Sequence, residues 1–106
     1  MANLKQTLSK KILDIPGVTE RFWENETGGF RSFIFKNKDF AHFHKGNELD
    51  LRLTRKVIAR EKLKHPQGSV DHPNRAQGSP WIELRFETED EVLNICRLVE
   101  LAIKQI

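Results

Sequence analysis

Between Phe40 and Trp81 the chain gathers all four of its histidines (His42, His44, His65, His72), the aspartates Asp50 and Asp71, and the arginines Arg52, Arg55, Arg60 and Arg75. Imidazole exchanges a proton near neutral pH, a carboxylate orients an imidazole, and guanidinium holds a carboxylate, phosphate or enolate oxygen. Concentrated in one stretch, these groups are the raw material of an acid/base or anion-binding pocket. Covalent catalysis fits poorly. Ser79 has no Gly-x-Ser-x-Gly surroundings, and Cys96 sits within an apolar helical stripe. Gly28-Gly29 and Gly68 lack the strand-to-helix glycine pattern of a nucleotide site.

Spacing sharpens the reading. In His42-Phe43-His44 the i, i+2 separation on a strand sends both imidazoles to one face, where they can share a metal ion or polarise a substrate. The alternative is a solvated or hydrogen-bonded pair, and the histidine and acidic spacings match no closed zinc signature. Metal and cofactor are therefore left unspecified. Leu49-Asp50-Leu51-Arg52-Leu53 alternates, placing Asp50 and Arg52 together opposite the leucines, either as groups orienting a polar ligand or as the wet side of a half-buried strand. His65-Pro66 and Asp71-His72-Pro73 bracket a loop in which Asp71 is placed to accept from an imidazole, with Arg75 just beyond. Trp81 either stacks on a ligand or closes an edge of the core.

The elements that must position these groups are readable from periodicity. Leu4, Leu8, Ile12 and Ile15 define one face of a helix that ends near Asp14, with Pro16-Gly17 as its stop. Phe30–Lys36, Phe40–His44 and Leu49–Leu53 read as strands, the first two joined through Lys36-Asn37-Lys38-Asp39. By period two, Phe40, His42 and His44 share a face, with Ala41 and Phe43 on the other. Thr54 caps a short helix carrying Val57, Ile58 and Leu63, which ends before His65-Pro66. Residues 66–80 form an irregular loop rich in Gly, Ser, Pro and Asn. Trp81–Phe86 is a further strand, its Ile82, Leu84 and Phe86 opposite Trp81, Glu83 and Arg85. Thr88-Glu89-Asp90-Glu91 is a capping box opening a helix with Val92, Ile95, Cys96, Val99 and Ile103 as its apolar stripe. This order implies an α+β fold: a single domain, residues 1–106, with an antiparallel sheet of about four strands and helices packed on one face.

The 106 residues, 38% hydrophobic and 31% charged, suit one globular domain. A net charge of +3 without a basic run permits weak attraction to anions but does not by itself establish nucleic-acid binding. No window approaches the roughly 20 apolar residues of a membrane span. Residues 1–15 have no unbroken apolar run of a secretory leader, and the lone Cys96 cannot form an internal disulfide, so a reducing cytoplasm is the expected compartment.

The run Phe40-Ala-His-Phe-His-Lys-Gly-Asn-Glu-Leu-Asp-Leu-Arg-Leu, with Lys64-His-Pro, Asp71-His-Pro and Ser79-Pro-Trp-Ile-Glu-Leu-Arg-Phe, resembles the small microbial luciferase-domain proteins. That family is distantly similar to fungal luciferase, which oxygenates a hydroxylated pyrone with molecular oxygen. The resemblance covers most of the chain from Phe30 onward. It implies that His42, His44 and His72 match the wider pattern, and that Asp50 and Arg52 belong to the small-family version. The expected site comprises His42, His44, Asp50, Arg52 and His72 as catalytic groups, with His65, Asp71, Arg75 and Trp81 against a small anionic or enolisable organic molecule. A non-enzymatic nucleic-acid- or protein-binding module is the alternative.

Overall fold

The computed structural model describes residues 3–24, 30–44, 46–63 and 79–106. Asn3 opens helix α1 (Leu4–Leu13) by accepting the amides of Lys5 and Gln6 on its side-chain oxygen, at 3.0 and 3.2 Å. Leu8 and Ile12 are the residues of this helix that are buried. Gly17 then turns the chain at φ +87°, where an added Cβ would stand 2.9 Å from the Phe35 ring. Both the left-handed backbone and the close ring require glycine there.

Five antiparallel strands follow in spatial order β1-β2-β3-β4-β5: Val18–Trp23, Phe30–Phe35, Lys38–Phe43, Glu48–Arg52 and Trp81–Arg85. The α+β class and antiparallel sheet match the sequence reading, with one strand more than the four expected. The addition is β1, whose Val18, Thr19, Phe22 and Trp23 are strand formers interrupted by charge. Glu20 forms an ion pair with Arg31 of β2, whose guanidinium also lies 5.8 Å from the Phe22 ring centre. The β2–β3 hairpin turns through Lys36 and Asn37 at φ 51° and 64°, the two consecutive positive values that match the twist of a tight hairpin.

Helix α2 (Arg55–Arg60) leaves β4 through Thr54, whose hydroxyl oxygen accepts the Val57 amide and whose own N–H, like that of Leu53, donates to the Pro80 carbonyl. It ends at Arg60, so that Leu63, expected on the helix, lies beyond it; the chain turns at Lys62, φ 56°, with Leu63 donating to Ile58 and Lys62 to Ala59, a Schellman closure. Helix α3 (Glu89–Lys104) begins at the expected box: Thr88 Oγ1 accepts the Glu91 amide at 3.1 Å, and Glu91 Oε1 accepts the Glu87 amide at 3.0 Å. Thr88→Ala should lower stability by about 1 kcal/mol. Thermal melts should show this as a fall of about 4–8 °C.

Pairing determines what each sheet face presents. Ala41, Leu51 and Ile82 lie in one cross-strand row, and Phe43, Leu49 and Leu84 in the next. These rows pack with Phe33 and Phe86 against Leu8 and Ile12 of α1, Val92, Ile95, Leu98, Val99 and Ala102 of α3, and Val57 of α2. Cys96 and Ile103, expected in the stripe of α3, are only partly buried against this core.

Phe40 requires a correction. Alternation puts it with His42, yet it is fully buried in the core beside Ala41. The cause is a β-bulge: Phe33 pairs with Ala41 and Ile34 with Asp39, leaving Phe40 as the extra residue. The same shift brings Asp39 to the face of His42.

Candidate functional site

The sheet face turned away from α1 and α3 carries an unbroken polar row, Ser32 on β2, His42 on β3, Asp50 on β4 and Glu83 on β5, each directly opposite the next. Opposed side chains in such pairs begin about 5 Å apart, so the row is a set of touching neighbours. Its burial is unusual for polar groups: Ser32 is 0%, Asp50 1% and Glu83 2% exposed. His42 is only partly covered, its side chain 22% exposed. Proton or ligand exchange with solution therefore has its natural entry at His42.

His44 joins the row from just beyond the end of β3. Its N–H donates to the Glu48 carbonyl at 3.0 Å, and its own carbonyl accepts the Lys5 ammonium at 2.7 Å. Burial lowers the Lys5 pKa, and Glu48 partly offsets this. Held from both sides, the His44 ring places Nδ1 2.8 Å from Glu83 Oε1 and Nε2 3.9 Å from Asp50 Oδ2. His42 Nε2 lies 3.5 Å from the same Asp50 oxygen, and the two imidazole centres are 5.2 Å apart. His44 thus stands between two carboxylates, Nδ1 against Glu83 and Nε2 turned toward Asp50.

Trp81 lies half-buried beside the cluster, its ring centre 5.6 Å from that of His42. It is on the polar face, directly opposite Arg52, which is exposed. Behind His42, the Asp39 carboxyl is pushed up from its ordinary pKa by burial. The charge of His42 and hydrogen bonds from the Ser32 hydroxyl and the Ala41 backbone act the other way, and Asp50 adds a smaller upward push.

Of the residues expected at the site, His42, His44 and Asp50 converge, Trp81 adjoins them, and Arg52 stands on the same face at the rim. His65, Asp71, His72 and Arg75 lie outside the described residues. Glu83 was not anticipated as a site residue. Strand parity set it opposite the core, but only the register shows that it sits across from Asp50 and against His44. Ser32 and Asp39 also escaped, because Ser32 reads as an ordinary polar strand residue and Asp39 as part of the connection before β3, which in fact begins at Lys38.

Fold and site together define an α+β protein whose meander sheet is covered by helices on one face and holds a buried histidine–carboxylate cluster on the other. The chain belongs to the luciferase domain family, whose model matches residues 37–102. The match spans His42, His44, Asp50, Arg52, Trp81 and Glu83, with α1, β1 and β2 preceding it. No curated protein and no solved structure matches the chain. Among the described residues no helix is long and apolar enough to cross a membrane.

Proposed function

We propose that the protein binds a small anionic or enolisable organic molecule over the rim formed by His42, Trp81 and Arg52. The observation that carries this reading is the graded exposure of the cluster. Asp50 and Glu83 are buried anchors, His44 is fixed between them, and His42 alone of the four opens to solution beside an indole face. Apolar stacking surface with a few convergent polar groups is how small-molecule sites are built.

In the enzymatic form, His42 takes a proton from an enol or an acidic C–H, Asp50 steadies the imidazolium that results, and Arg52 holds the developing oxyanion. Membership of the luciferase domain family supports an oxygenase-like outcome, in which the deprotonated, electron-rich substrate meets molecular oxygen.

A hydroxylated pyrone is the probe of choice, titrated while Trp81 fluorescence is followed in a Trp23→Phe background. Saturable quenching is expected, with an oxygen electrode reporting turnover in parallel. Loss of a charge-assisted hydrogen bond costs about 1.5–3 kcal/mol. Arg52→Ala should therefore weaken pyrone binding roughly 10–100-fold. Absence of saturable binding by wild-type protein would overturn the reading for this substrate class, as would an unchanged affinity in both Arg52→Ala and His42→Ala.

A further inference from the structure

The two imidazoles do more than share a face: His42, His44 and Asp50 each offer one ligand atom, and these atoms all lie within 4.8 Å of one another. The shared carboxylate oxygen is 3.5 Å from one nitrogen and 3.9 Å from the other. Ligand atoms about 2.1 Å from a common ion stand roughly 3.0–3.4 Å apart in octahedral or tetrahedral arrangements. The nearer contact is within about half an ångström of that separation and the farther within about one ångström.

Glu83 supplies what a bare triad would lack. Its Oε1 lies 2.8 Å from Nδ1 of His44, an ion-pair contact that leaves the ring with Nε2 turned toward Asp50. A carboxylate against the second ring nitrogen is the usual companion of a metal-ligating imidazole. Burial agrees: Asp50 and Glu83 place two carboxyl groups at 1% and 2% exposure, and buried charge of this kind is ordinarily paired or metal-coordinated.

A competing group, His44, Glu48 and Glu83, also gathers three donors. It is the weaker set, because Glu48 Oε2 is held by Arg85 Nε at 2.9 Å.

We propose that His42, His44 and Asp50 form a binding site for a divalent first-row transition metal, with Glu83 as the positioning residue. Two imidazoles and one carboxylate on a single face leave coordination positions open, the arrangement suited to Fe(II)-like ions that also accept an exogenous ligand. The open positions lie toward His42, the exposed side of the cluster. This inference uses the same cluster as the proposed function but does not depend on the organic ligand, and its test contains none. A metal site without pyrone binding, or pyrone binding to chelator-treated protein, would separate the two.

The experiment is an anaerobic titration of the full chain with Co(II), read by its visible d–d absorption, together with Zn(II) titration of protein carrying ¹⁵N-labelled histidine. One Co(II) per chain is expected. Zn(II) should move the Nε2 resonances of two imidazoles, those of His42 and His44, to metal-bound positions. Glu83→Gln, with circular dichroism unchanged, should weaken Co(II) about 10–100-fold. Asp50→Asn should weaken it at least as much. The imidazole measurement uses wild-type protein and so gives an answer even where a variant fails to fold. Failure to take up Co(II) or Zn(II) at millimolar concentration would overturn the site, as would uptake that leaves the His42 and His44 resonances in place.

Discussion

Glu83→Leu is expected to destabilise the metal-free protein by about 3–5 kcal/mol, a large share of the roughly 5–15 kcal/mol that holds a domain of this size together. The leucine itself is not the problem, since position 83 is enclosed and apolar volume there is welcome. The cost arises at His44, whose Nδ1 stays buried but loses the carboxylate 2.8 Å away. A partial gain opposes this: Asp50 and Glu83 are directly opposite in register, and like charges so placed repel. The loss dominates because His44 stands between the two carboxylates and contacts both. Glu83→Gln keeps an acceptor oxygen and should cost less, about 1–3 kcal/mol. Glu83→Leu combined with His44→Leu should recover much of the loss, as apolar replacement of a whole buried pair often does. Urea unfolding with a chelator present measures all three. A Glu83→Leu variant within 0.5 kcal/mol of wild type, on the order of an ordinary surface substitution, would refute the buried pair.

These energetics explain why the cluster was only half legible beforehand. Asp50 and Arg52 share a strand face, and one reading of that face was simply its wet side. Arg52 is indeed exposed, whereas Asp50 is 1% exposed. Period-two alternation reports which face a residue takes, but whether the face is covered depends on tertiary structure. Glu83 was hidden for the same reason, since His44 lies just beyond the end of β3 and Asp50 on β4, and neither relation exists before register is set. Helix limits were easier because their determinants are local: Asn3, Thr54 and Thr88 each bond amides two or three residues on. Strand β1 fell between these cases. Glu20 breaks its apolar pattern, and the Arg31 that pairs with it becomes a neighbour only once β1 lies along β2.

Phe40 is the clearest case of local pattern yielding to packing, and Phe40→Ala is expected to cost about 3–5 kcal/mol. Regular alternation from Ala41, which faces the core, would direct the Phe40 ring among the histidines. The bulge allows both residues to enter the core, where each is fully buried. Filling that space with the ring stabilises the fold more than the locally disrupted ladder costs, so the irregularity persists. Deleting Phe40 distinguishes the two contributions. Asp39 and Ala41 already face Ile34 and Phe33, so deletion yields a regular ladder with the same partners and the same placement of His42 opposite Asp50. The deletion should therefore lose the ring's packing while regaining continuous pairing, and should unfold at a higher urea concentration than Phe40→Ala. If Phe40→Ala costs under about 1 kcal/mol, the ring does not fill the core as described. If deletion is the more damaging change, the bulge contributes to the sheet beyond admitting the Phe40 ring.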